Sequence, residues 1–200
     1  MDILTLKSKV KLGCNLCDRC CIYRGDIRLT PINVCRISKF LGITNKEFID
    51  NYTDKLKNSP LELVFKTKGD LRMCILYDEI GKKCSIHKVK PMQCTMFPLI
   101  PENLKRDYFV DSGECHNDDF KKITVNEWLN GNNNNYKKNK KTCLKWIEFL
   151  ELVQPKLIDN KDLDEFYNMM FLDYKIGNLY CQMIKKMNNA LKVLEICGKM

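Results

Sequence analysis

The sequence predicts an α+β fold: a loop-rich domain centred on metal-binding cysteines, with short helices and a small antiparallel sheet, followed by a C-terminal helical extension. Three observations predict it. Four cysteines fall within the eight residues Cys14 to Cys21, spaced for metal ligation rather than for packing. Short alternating segments flanked by turn residues between Leu61 and Val110 read as small strands. Beyond residue 142, apolar residues recur at three- and four-residue steps, as on the buried face of a helix. The implied organisation is a cysteine domain over 1–123, a short helix with a polar Asn/Lys linker over 124–141, and a helical extension over 142–200.

Taken in order, Cys14-x2-Cys17-x2-Cys20 can turn successive sulfurs onto one soft centre. Its first three positions are ferredoxin-like, but Arg24 stands where the next cysteine of such a run would be, so a further ligand must come from farther along the chain. Cys20 and Cys21 are adjacent, and neighbouring side chains diverge. That pair favours a polynuclear cluster or more than one metal over a single shared ion. Thr30-Pro31 then opens a helix ended by Gly42, and Thr44-x-x-Glu47 has capping-box spacing for a second through Phe48 and Tyr52. Leu61, Leu63 and Phe65 alternate with polar residues as an edge strand would. Residues 72–77 and 83–87 flank the turn Asp78 to Lys82 and read as one hairpin, with Cys74 on one arm and Cys84 on the other. Pro91 and Pro98 bound the segment holding Cys94, and Tyr108 to Val110 is a further strand before Cys115.

Thr124-x-x-Glu127 caps another short helix, after which Asn130 to Asn135 form a polar loop. The neighbouring Lys137, Lys138, Lys140 and Lys141 read as a solvated loop rather than a phosphate site. Residues 142–154 form a helix stopped by Pro155, and Asp162-x-x-Glu165 opens one long helix running to Leu194 and packing on it. Cys35, Cys143, Cys181 and Cys197 lie among apolar residues or far from the others, and are read as structural.

Composition narrows the function. Twelve cysteines with no secretory segment at the start fit a reducing, cytoplasmic setting in which thiolates bind metal. No apolar run approaches the roughly 18 residues of a membrane helix. The net charge of +9 is spread, +4 over residues 1–120 (20 basic, 16 acidic) and +5 over 121–200 (14 against 9). Nothing matches a Gly-rich cofactor loop, H-E-x-x-H, a phosphate loop, the radical-enzyme C-x3-C-x2-C or a ribonucleoprotein motif.

Eight cysteines remain as metal ligands: Cys14, Cys17, Cys20, Cys21, Cys74, Cys84, Cys94 and Cys115. The C-x2-C-x2-C-C run, together with Cys84-x-Ile86-His87-x3-Pro91-x2-Cys94-x2-Phe97-Pro98, resembles the YkgJ-type cysteine-cluster family of zinc- or iron-chelating proteins over residues 12–117. His87, Lys90 and Thr95 replace a tyrosine and two arginines of that pattern, and His87 and His116 read as surface or supporting residues rather than ligands. The resemblance implies an iron-sulfur cluster, with 4Fe-4S favoured, or zinc. Similar patterns in the flagellin lysine methylase add S-adenosylmethionine and protein-lysine methylation as an expectation. Two classes follow. One is an iron-sulfur protein that is redox-active or modifies a peptide or protein. The other is a noncatalytic zinc module binding protein or, less expectedly, nucleic acid. Neither assigns catalytic residues or an oligomeric state.

Overall fold

A computed structural model of the chain describes residues 2–14, 19–22, 26–113, 119–131, 135–157, 160–175 and 177–197, without the side chains of 160–162 and 195–197. The chain packs as two compact units that interleave along the sequence: residues 1–27 with 67–144, and 28–66 with 145–200.

In the first unit, β1 (Lys9–Lys11) pairs antiparallel with β11 (Lys122–Thr124), and Leu4 exchanges backbone hydrogen bonds of 2.8 and 2.9 Å with Phe109. Phe109 lies on β10 (Tyr108–Asp111), which pairs with β9 (Leu99–Asn103). Helices α3 (Met92–Met96) and α4 (Val125–Asn130) complete a core of Leu12, Met92, Met96, Leu99, Phe109, Val125, Leu129 and Tyr136. The Trp128 indole N–H donates to the Met96 carbonyl at 3.0 Å, holding α4 on α3. Thr124 and Glu127 form the expected reciprocal cap of α4.

The second unit holds α1 (Pro31–Leu41), α2 (Asn45–Tyr52) and a three-stranded sheet ordered β2-β4-β3, where β2 is Arg28–Leu29, β3 Thr53–Leu56 and β4 Ser59–Phe65. Both helices carry capping boxes, at Thr30 and Thr44, and α1 ends at Gly42 in the left-handed region (φ 71°). The strand at 59–65 is central rather than an edge. Glu62 supplies the polar alternation yet is buried, its charge met by Arg28 at 3.4 Å, so Leu61 to Phe65 are all covered.

Helix α5 (Tyr136–Val153) begins six residues earlier than its periodicity suggests, and the lysines expected in a loop lie on its first two turns. The cause is Tyr136, which is buried in the first unit's core while its hydroxyl donates to Asp107 at 2.5 Å. Lys140 pairs with the same carboxylate at 2.7 Å, so that lysine is tied down rather than solvated. The single helix expected from Asp162 to Leu194 is two, α6 (Asn160–Phe171) and α7 (Leu179–Cys197). Asp173 (φ 58°) and Gly177 (φ 134°) take left-handed backbone between them and interrupt the helix. Residues 145–153 of α5 join the second unit, where Trp146 and Phe149 pack on Phe166 at 6.3 and 6.2 Å between ring centroids. Among the described residues no helix is long and apolar enough to cross a membrane.

Candidate metal centre

The segment expected to be one hairpin is two. β5 (Thr67–Lys68) pairs with β6 (Met73–Cys74), and β7 (Tyr77–Asp78) with β8 (Lys83–Cys84). Cys84 therefore lies opposite Tyr77, and Cys74 opposite Thr67. The turn at 78–82 is where the sequence places it, but its strands are only two residues long. The chain before Tyr77 turns back to make a ribbon of its own.

These ribbons are tandem copies of ten residues, 67–76 and 77–86. In each, positions one and two form the outgoing strand, position six is a non-glycine residue with positive φ (Arg72, 49°; Lys82, 47°), position eight is the cysteine, and position ten is a buried aliphatic (Leu76, 4% exposed; Ile86, 1%). The chemistry repeats with the geometry. The Leu76 N–H donates to the Cys74 sulfur and the Ile86 N–H to the Cys84 sulfur, two residues downstream in both copies. Residues 87–96 repeat the spacing once more, with Cys94 at position eight and buried Met96 (1%) at position ten. There Pro91 breaks the ribbon form, and the segment folds as a 3₁₀ turn at His87–Val89 followed by α3.

The opening run reaches the ribbons through a 3₁₀ turn at Arg19–Cys21, after β1 has been pinned by the Leu12 N–H to the Lys121 carbonyl at 3.4 Å. Gly13 lies between those points, where a Cβ would run into the Phe120 ring. Cys21 is buried and hydrogen-bonds through its thiol to both Cys20 and Cys84. Contact with those two sulfurs, then burial, pushes Cys21 well above the ordinary thiol range. Cys84 moves the other way, to about 7. The Cys21 hydrogen bond is the largest cause, opposed by burial and assisted by the Ile86 N–H and the Lys90 charge. Cys74 is raised to about 11, first by burial; Cys84 and Cys20 add to the rise while the Leu76 N–H and Lys68 counter it.

Four of the eight expected ligands are thus linked: Cys21 hydrogen-bonds to Cys20 and Cys84, and Cys74 feels the charge of the same two. Cys94 is half-buried on α3 and Cys14 is exposed. Cys17, Cys115 and His116 lie outside the described residues. The contacts run pairwise, and among the described residues no three His, Cys, Asp or Glu side chains already surround one point at ligand spacing. The donor set nonetheless fits a soft metal: thiols drawn from three separate turns, two of them with backbone N–H groups already aimed at sulfur, as supporting hydrogen bonds orient ligands in thiolate sites. Those two N–H groups were not singled out from sequence. The ten-residue spacing of Cys74, Cys84 and Cys94 was the available signal. His87 is exposed, with Lys90 Nζ 3.3 Å from its ring nitrogen.

Three of the cysteines read as structural have described side chains. Cys143 packs against the first unit's core and burial pushes it up to about 11; Cys35 is half-buried and raised by burial, and Cys181 is exposed on α7. The Cys197 side chain lies outside the described residues. At pH 8 only roughly one Cys143 in a thousand is thiolate. Iodoacetamide should therefore label Cys181 promptly and Cys143 about a hundredfold more slowly in the folded protein, the two rates converging in denaturant. Equal rates in the folded protein would contradict the placement of Cys143.

A family model, CxxCxxCC, described as a putative zinc- or iron-chelating domain, matches residues 13–144, which contain every candidate ligand. No solved structure matches the chain.

Proposed function

The chain belongs to the CxxCxxCC family, and from that premise we propose that it chelates a single zinc or iron ion through Cys20, Cys21 and Cys84, with Cys74 as the nearest further donor. The observation that carries this reading is the double contact of Cys21. A tetrahedral site with metal–sulfur bonds of about 2.3 Å needs sulfurs roughly 3.8 Å apart, and thiols that already share hydrogen bonds have a short distance to close on binding metal. Cys21 hydrogen-bonds to Cys20 although the two are adjacent, both lying on the 3₁₀ turn. Bound metal would supply a crosslink between that turn and the two ribbons, whose two-residue strands have little stability of their own.

A polynuclear iron-sulfur centre is the second reading. It is favoured by the supply of thiols, since six candidate cysteines lie within the described residues, more than one four-coordinate ion takes.

Anaerobic purification with metal and sulfide analysis tests both. One equivalent of zinc or iron without acid-labile sulfide is expected for the wild type. Cys21→Ser and Cys84→Ser should each lose most of it, while Cys143→Ser and Cys181→Ser retain it. Acid-labile sulfide at metal stoichiometry would turn the assignment to the cluster. Full retention of metal in both Cys21→Ser and Cys84→Ser would remove the site altogether. Titrating S-adenosylmethionine into the same preparations tests the methylase expectation, which needs saturable binding.

A further inference from the structure

Cys21 and Cys84 meet as a buried thiol against a partly exposed one. Cys21, at the end of the 3₁₀ turn, is 6% exposed, whereas Cys84 on β8 is half-buried and open to a small solute. Their contact is held from both sides. The Ile22 N–H donates to the Arg19 carbonyl at 3.3 Å, closing the turn around Cys21. Cys84 lies opposite Tyr77 in the second ribbon, the Ser85 N–H donates to the Leu76 carbonyl at 3.0 Å, and the Ile86 N–H donates to the Cys84 sulfur. One sulfur that an oxidant can reach, with a second already against it, is the arrangement that reversible thiol oxidation requires.

Cys21 touches two sulfurs, and covalent geometry decides between them. The Cys20–Cys21 peptide is trans, which sets the two Cα atoms about 3.8 Å apart. A disulfide spans roughly 4.4–6.8 Å between Cα atoms, so bonding the adjacent pair would distort the turn. Cys84 comes from a separate element and carries no such constraint. Cys74 interacts with Cys84 and Cys20 by charge, and its sulfur hydrogen-bonds to the Leu76 N–H instead.

We infer that Cys21 and Cys84 form a redox switch, in which hydrogen peroxide oxidises the pair to a disulfide and the bound ion is released. The inference rests on the single-ion site proposed above, because losing two donors is what frees the ion. In the first step the Cys84 sulfur attacks one peroxide oxygen, the O–O bond breaks, hydroxide leaves, and Cys84 becomes a sulfenic acid. The Cys21 sulfur then attacks the Cys84 sulfur, forming the S–S bond as the S–O bond breaks and a second hydroxide leaves. Two protons from solvent neutralise the hydroxides. Two thiolates, one peroxide and two protons thus give one disulfide and two waters, with two electrons passing from sulfur to oxygen. The new crosslink does not replace the old one completely. It keeps the 3₁₀ turn on the second ribbon, while Cys74 and the first ribbon lose the centre that joined them to it.

The test uses the full-length chain loaded with zinc, which brings no redox chemistry of its own. Hydrogen peroxide is titrated in, free thiols are blocked with N-ethylmaleimide, and disulfides are mapped by mass spectrometry. The Cys21–Cys84 bond should be the main product, rising in step with release of one equivalent of zinc to a chromogenic chelator, and dithiothreitol should reverse both. In the oxidised protein, amide protection of 67–76 should fall about tenfold or more while that of 77–86 stays within about threefold of the zinc-loaded form. A main disulfide between any other pair, irreversible oxidation of Cys84 without a disulfide, zinc release that precedes the bond, or equal loss of protection in both ribbons would each overturn the inference. A reduced chain that binds no zinc overturns the single-ion site instead; the same mapping on the metal-free chain then decides the pairing, and any pair other than Cys21–Cys84 overturns the switch as well.

Discussion

Stripping the metal with a chelator should abolish amide protection across residues 67–86, by about a hundredfold or more, while leaving the β2-β4-β3 sheet and α6 protected within about threefold. The two ribbons are the reason for so local a response. Each has two residues per strand, and an isolated two-stranded ribbon is marginal at best in water. Their covalent neighbours differ in kind. The core of Phe109, Leu129, Tyr136 and Met96 is closed by apolar packing, and the second unit by the aromatic set of Trp146, Phe149, Phe166 and Phe171. Neither core contains a candidate ligand. Structural zinc sites return about 10 kcal/mol or more of binding free energy as folding free energy, enough to dominate ribbons of this size. Hydrogen exchange followed by mass spectrometry, before and after chelation and after metal is restored, separates the regions. Protection of 67–86 that survives chelation would mean that the thiols do not hold the ribbons together. A uniform loss over both units would mean that the metal supports the whole fold.

Much of this architecture could be read from the chain because it rests on local chemistry. Thr30 with Pro31, Thr44 with Glu47 and Thr124 with Glu127 announce helix starts by side chains that reach only three residues. Local sequence misleads where a distant partner decides the outcome. Glu62 looks like the solvent face of an edge strand until Arg28, thirty-four positions earlier, is brought beside it. The lysines at 137–141 look like a loop until Tyr136 and Lys140 close on Asp107. Nothing in the periodicity of 160–197 marks the break at Asp173 and Gly177, since both lie between stretches that share one helical pattern. Likewise, local sequence does not disclose that residues 28–66 pack with those after 145.

For the site, the sequence marks candidate donors but not which of them lie together. Thiols in a C-x2-C-x2-C-C run leave little doubt about the chemistry, but contact between Cys21 and Cys84, sixty-three positions apart, is a property of the fold. The ribbon duplication hid for a different reason. Its ten-residue repeat keeps the positions of the cysteine and the buried aliphatic but few other residue identities, so it emerges only when backbone dihedrals and burial are set beside the sequence.

That register makes a sharp comparison possible between two isoleucines six residues apart in the same ribbon. Ile86→Ala is expected to destabilise the metal-loaded protein by about 3 kcal/mol, within the range for emptying a fully buried aliphatic position. Ile80→Ala should change stability by less than about 0.5 kcal/mol, as a substitution on an exposed tip does. Composition and strand propensity are the same for both, so the difference isolates burial, 1% exposed against 98%. The substitution keeps the Ile86 N–H that donates to Cys84, so metal stoichiometry should persist in native conditions and the loss should appear in urea midpoints at saturating metal. If Ile86→Ala falls within 0.5 kcal/mol of wild type, position ten of the ribbon is not a packing position, and the shared register of the two copies is a coincidence of spacing. If Ile80→Ala is the costlier change, the tip is buried in the native protein, against some surface of the chain or of a second copy.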